Sequence, residues 1–181
     1  MIVLWLFVFS LFLVNVTWAA KGDVYILSVN DAISPGIAEY IKNGIEKAEK
    51  EGAACLIIEL DTPGGLAESM RLIIKDILGS TIPIVVFVAP SGARAASAGV
   101  MITMAADVAA MAPSTNIAAA HPVGAGGKDI SGKMSEKVIN DMVAHAKSVA
   151  EKRGRNQEWV EQAIRESVSV TETEALKENI I

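Results

Sequence analysis

The chain has 181 residues, enough for one domain with a sizeable buried core. Its 16 Lys+Arg against 21 Asp+Glu leave a net charge of −5, and 51% of its residues are hydrophobic, which excludes the basic footprint of a nucleic-acid binder and the composition of a disordered chain. The lone Cys55 excludes a disulfide framework and any CxxC site, and two histidines, His121 and His145, speak against a His-rich metal centre.

Residues 1–20 carry no charge and end in Ala19-Ala20 just before Lys21, the pattern of a secretory signal peptide. A retained membrane anchor is the alternative, since about 20 apolar residues can span a bilayer. In either case residues 21–181 are expected to form an exported or membrane-associated domain on the extracytoplasmic face.

Beyond the leader, strand-like and helical stretches alternate. Residues 23–29 read as a strand, and Ser34-Pro35 offers an N-cap and a first-turn proline for a helix to about Glu51, stopped by Gly52. Residues 54–61 are a continuous apolar run, expected of a strand in a sheet covered on both faces. The turn Thr62-Pro63-Gly64-Gly65 leads into an amphipathic helix over 66–78, and 84–89 is a further buried strand. Residues 97–106 read as helix, 108–111 and 116–120 as short strands, and the glycine-rich stretch 122–132 as a flexible loop. Helices follow over 135–153 and 157–166, and Thr171 with Glu174 forms a capping box for a last short helix. The chain ends at Ile180-Ile181 where another strand would begin, as in a domain cut from something longer.

Three stretches can carry chemistry. In Asp61-Thr62-Pro63-Gly64-Gly65, paired glycines between a strand and a helix leave backbone N–H groups open to an anion or an oxyanion; the plain alternative is an ordinary turn. Ser97, flanked by Ala96, Ala98 and Gly99, stands where a helix should begin, as a nucleophile on a tight turn does. Its plain alternative is a helix N-cap. A serine nucleophile needs a proton acceptor, and His121, His145 and the lysines 128, 133, 137 and 147 are all candidates that composition cannot separate.

Glu59-Leu60-Asp61-Thr62-Pro63-Gly64-Gly65, Ser91-Gly92-Ala93-Arg94-Ala95-Ala96-Ser97-Ala98-Gly99 and Met111-Ala112-Pro113, with Ser135-Glu136-Lys137-Val138 and Gly154-Arg155-Asn156 downstream, together resemble the NfeD family of membrane-associated serine proteases. That family lies within the Clp protease/crotonase superfamily. The resemblance, over about residues 22–181, implies an α/β fold of the repeated ββα superhelix type. It implies a Ser–Lys dyad with Ser97 as nucleophile and Lys137 as general base, backbone amides of Gly65 and Ala98 as oxyanion hole, and Gly64, Gly99 and His121 in support. It further implies hydrophobic substrates, notably stomatin-like membrane proteins, a homodimer or higher homo-oligomer, and no cofactor. The transmembrane bundle and β-barrel domain of longer members have no counterpart in these 181 residues.

Physical chemistry is compatible with a lysine base. An ordinary lysine titrates near ~10.4, so a lysine base depends on desolvation, which the alanine-rich surroundings of Ser97 and closure of the 122–132 loop would supply. Three other readings remain to be separated. A Clp-type His121 could be the base, a crotonase-type enzyme could use the same oxyanion hole on a thioester, and an idle module could grip hydrophobic tails. Nucleotide binding is excluded, because Gly127-Lys128 lacks the rest of a P-loop and no G-x-G-x-x-G occurs.

Overall fold

A computed structural model describes residues 22–118, 120 and 133–181 of the chain. Residues 1–20, the expected leader or anchor, His121 and the 122–132 stretch therefore lie outside the described residues. Strand β1 (Val24–Asn30) leads to helix α1 (Pro35–Lys50), then β2 (Cys55–Asp61), α2 (Ala67–Gly79) and β3 (Ile84–Val88). The short β4 (Arg94–Ala96) runs into α3 (Ala98–Ala105), followed by β5 (Val108–Met111) and β6 (Asn116–Ala118). Helices α4 (Lys133–Lys152) and α5 (Gln157–Arg165), strand β7 (Ser169–Thr171) and helix α6 (Glu172–Lys177) complete the chain.

The strands form two sheets. One is entirely parallel, in the order β1-β2-β3-β5, and the other is β4-β6-β7, with β4 and β6 parallel and β7 antiparallel to β6. Period-two alternation puts Leu56, Ile58, Leu60, Ile84, Val86 and Val88 on a fully buried face of the first sheet. No described residues cover its opposite face. There Ile26 and Val108 are 63% and 53% exposed, and Ile57 and Val85 between them only half-buried. The expectation of a sheet sheltered on both sides is thus corrected. The apolar run 54–61 contains Glu59 and Asp61 on the outer face, and those polar residues mark the open side.

Local chemistry explains the helix ends. The Ser34 hydroxyl accepts the Ile37 N–H with Pro35 in the first turn, and Gly52, at φ 69°, follows the last residues of α1. The Thr171/Glu174 capping box is present, with both reciprocal hydrogen bonds made. Helix α3 is different: all eight residues are buried, so it runs through the core as an apolar helix with no solvent face. Its C-terminal carbonyls are met from the far end of the chain. The Arg155 guanidinium donates to Met104 O at 2.6 Å and Ala106 O at 2.8 Å, and the Arg153 Nε donates to Ala105 O at 2.7 Å. Burial, reinforced by neighbouring Arg153, lowers the Arg155 pKa to about 10, so it stays charged at neutral pH.

Helix α4 is tied to α2 by the Arg71–Asp141 ion pair, and His145 lies one turn further along. Burial, then the charge of Arg71, lowers the His145 pKa, while Asp141 opposes this; the buried His145 Nδ1 has no partner among the described residues. Among the described residues no helix is long and apolar enough to cross a membrane.

Two outcomes are expected. Arg155→Ala strands two buried carbonyls and should lower unfolding free energy by about 2–4 kcal/mol in a urea titration; a loss under about 0.5 kcal/mol contradicts the role. Because the folded state holds His145 below its unfolded pKa of about 6.5, the unfolded chain binds more protons, and stability should fall as pH drops through about 6.5. His145→Gln should flatten that limb of the urea midpoint against pH; an unchanged slope would refute the assignment.

Candidate active site

The candidate site forms where β2 ends and α3 begins. After Asp61 the chain turns through Gly64 at φ 110°, a value that residues with a Cβ rarely adopt. Its surroundings forbid a side chain as well: a Cβ on Gly64 would stand 2.6 Å from Ser97 Cβ and 3.1 Å from Ser97 Oγ. At Gly65 it would meet the Ile33 backbone at 2.2 Å, and at Gly99 it would meet Thr62 Cγ2 at 2.7 Å. The three glycines therefore permit a packing that no other residue allows.

Hydrogen bonds fix that packing. Ile33 N–H donates to Gly64 O at 2.7 Å and Leu66 N–H to Ile33 O at 2.8 Å, which staples the turn to the end of the β1 connection. Thr62 N–H donates to Arg94 O at 2.8 Å, and Ala96 N–H to Thr62 O at 3.1 Å, so the turn also borders β4. Asp61 Oδ1 accepts the Arg94 N–H at 3.0 Å. The strand carrying the turn and the strand delivering Ser97 are thus one paired unit.

Ser97 occupies the N-cap position of α3 but does not cap it. Its backbone is at φ 52°, ψ −111°, and its side chain makes no capping bond, which corrects the cap reading. Such strain, of order 1–3 kcal/mol, persists only where the surroundings impose it. Here Ser97 N–H donates to Ala118 O at 3.0 Å on β6, and Ser97 O accepts Val100 N–H at 3.0 Å. The half-buried hydroxyl is left uncommitted among the described residues, like the serine of a nucleophile elbow. The N–H groups of Gly65 and Ala98 also have no acceptor among the described residues, and Ala98 opens a helix, where partial positive charge collects.

Of the residues singled out from the sequence, Ser97, Gly64, Gly65, Ala98 and Gly99 belong to this one paired unit. Lys137 lies exposed in the first turns of α4, with no hydrogen bond or ion pair among the described residues. His121 lies outside the described residues. His145 lies near the charges of Arg71 and Asp141, and Lys147 pairs with Glu161 at 2.8 Å. Among the described residues, no group of three or more His, Cys, Asp or Glu could hold a metal ion. Sequence reasoning passed over Thr62. It is fully buried, with its hydroxyl bonded to both ends of Gly64, and the only sequence signal was a hydroxyl beside the paired glycines.

The strained serine makes a measurable prediction. Ser97→Ala should change stability by no more than about 0.5 kcal/mol, since no cap is lost. Ser97→Gly should exceed Ser97→Ala by about 1 kcal/mol, because glycine adopts φ > 0 without strain. Equal thermal midpoints for the two variants would show that the site imposes no strain.

The profile of the family described as "NfeD1b, N-terminal domain" matches residues 23–181. The chain is 39% identical over 165 residues to "Membrane-bound protease PH1510" of Pyrococcus horikoshii, covering 90% of this chain and 37% of that relative. The chain thus spans little more than a third of that protein. Among solved structures, those described as "1510-N membrane-bound stomatin-specific protease" superpose with TM-score 0.83 at 38% identity. One such structure is a serine-to-alanine mutant, with 90% of this chain and 79% of that one covered. Another is a lysine-to-alanine mutant in complex with a substrate peptide, with 90% and 74% covered. ClpP1 from Listeria monocytogenes, at 21% identity and TM-score 0.69 over 86% of this chain and 88% of that one, shares the fold. The expected Clp-like α/β architecture is therefore present, and the chain belongs to the NfeD1b N-terminal domain family.

Proposed function

We propose that the chain is a serine endopeptidase domain in which Ser97 is the nucleophile and Lys137 the general base. The observation that carries this reading is the strained backbone of Ser97, whose uncommitted hydroxyl stands against the glycine turn. Ser97 Oγ attacks the scissile carbonyl carbon while its proton passes to the neutral Lys137 amine. The oxyanion that forms is received by the N–H groups of Gly65 and Ala98. Collapse breaks the C–N bond, and the lysine ammonium protonates the departing amine. Water, deprotonated by the same lysine, then attacks the acyl-enzyme, releasing the new carboxylate and restoring Ser97. Gly64 and Gly99 make room for this arrangement.

The exposure of Lys137 bears directly on the substrate. A solvated lysine is a poor base, so its activation requires something apolar to exclude water from it. A hydrophobic peptide segment laid along the site does so as it binds, which couples selectivity to catalysis. Relatives named as membrane-bound and stomatin-specific support hydrophobic segments of stomatin-like membrane proteins as substrates, and a serine mutant and a lysine mutant among them support the pair of residue types. The chain then works close to a membrane, on the extracytoplasmic side, with residues 1–20 as leader or anchor, and as a homodimer or higher homo-oligomer. The exposure of Lys137 to solvent favours one second reading, a module that grips hydrophobic tails without cutting them.

Cleavage of an aliphatic peptide, with a Lys/Asp-rich peptide as control, tests these readings. Ser97→Ala and Lys137→Ala should each lower kcat by about 10²–10⁴-fold, and His121→Ala by no more than about 10-fold. The pH–rate profile should show no break near about 6.5, where an ordinary imidazole titrates. An active Lys137→Ala with a dead His121→Ala overturns the dyad. Peptide binding without cleavage supports the gripping module instead, and equal cleavage of both peptides refutes the apolar preference.

A further inference from the structure

We infer that Thr62 is the positioning residue that aims the oxyanion-binding N–H of Gly65, an inference that rests on the peptidase reading above. The Gly64 C=O and the Gly65 N–H belong to one planar trans peptide unit and point in opposite directions, so whatever fixes the carbonyl fixes the aim of the N–H. Two donors hold that carbonyl: Ile33 N–H at 2.7 Å and the Thr62 hydroxyl at 3.2 Å. The same Thr62 oxygen accepts the Gly64 N–H at 3.2 Å, which removes it as a competing donor and leaves the Gly65 N–H as the open donor of the glycine pair.

The turn depends on such external ties. Paired glycines have no side chains to restrict their backbone, and the freedom that admits φ 110° at Gly64 also admits other orientations of the 64–65 peptide. Thr62 itself is firmly held. It is fully buried, its backbone pairs with Arg94 and Ala96, and its Cγ2 faces Gly99 in the first turn of α3. One side chain therefore relates the glycine turn to the helix that follows Ser97. Removing the hydroxyl loosens the 64–65 peptide and blurs the aim of a donor whose value depends on preorganisation.

The experiment compares Thr62→Val, near-isosteric but without the hydroxyl, with Thr62→Ser, which keeps it. Cleavage of the aliphatic peptide is measured in steady state, together with inhibition by a peptide aldehyde and by the corresponding peptide alcohol. The aldehyde forms a tetrahedral adduct that needs the oxyanion donors, and the alcohol does not. Thr62→Val should lose about 10–100-fold in kcat with KM within about 3-fold. It should weaken the aldehyde about 10-fold or more and leave the alcohol unchanged, and Thr62→Ser should restore kcat to within about 5-fold of wild type. If Thr62→Val does not fold, Thr62→Cys takes its place, with its weak thiol donor expected to cost about 10-fold in kcat. Wild-type kcat in a folded hydroxyl-free variant, or equal weakening of aldehyde and alcohol, overturns the role of Thr62 alone. A wild-type protein that cleaves no peptide overturns both this inference and the peptidase reading.

Discussion

The missing Cβ of Gly64 is the constraint around which the site is organised. A methyl group there would stand 2.6 Å from Ser97 Cβ, so the turn after β2 and the turn before α3 approach to a distance available only to glycine. That approach places an uncommitted hydroxyl beside an open backbone donor, the relation an acyl-transfer site requires. The same crowding recurs at Gly99 against Thr62 and at Gly65 against the Ile33 backbone. The parallel sheet supplies the frame. The site stands beyond the carboxyl end of β2, and the buried helix α3 carries its dipole toward the same point.

Stability and function separate along the chain. The helical C-terminal part holds α3 from behind, through Arg153 and Arg155 on its last carbonyls, and α4 is anchored through Met142, Val143, Ala146, Val149 and Ala150 in the core. Lys137 precedes this anchored stretch by more than a turn and stays in water. Under the proposed dyad, a lysine on the exposed beginning of a helix would be desolvated by the substrate itself. The exposed apolar row Ile26, Ile57, Val85, Val108 lies on the other side of the sheet and has no part in this chemistry.

Much of this was legible in the residues. Long elements with clear patterning, such as the helices beginning at Pro35 and Ala67 and the strands ending at Asp61 and Val88, lie within a residue or two of where their periodicity puts them. The three-residue strands β4 and β7 carried no such signal, because Arg94–Ala96 and Ser169–Thr171 are too short to show alternation and owe their form to pairing with β6. The open sheet face was misjudged because residues 54–61 look uniformly apolar until Glu59 and Asp61 are given a side. Ser97 was recognisable as a helix start, and only its positive φ distinguishes it from an ordinary cap. Thr62 was hidden for another reason. Its role depends on hydrogen bonds to Gly64 and on burial, neither of which a motif expresses.

The central claim is that Ser97 is a nucleophile rather than a structural serine. It is tested most directly by treating residues 21–181 with a serine-directed phosphonate and locating the adduct by mass spectrometry. The account predicts a single stoichiometric adduct on Ser97, absent from Ser97→Ala and greatly slowed in Lys137→Ala. A folded protein that stays unlabelled, or that is labelled on another residue, contradicts it.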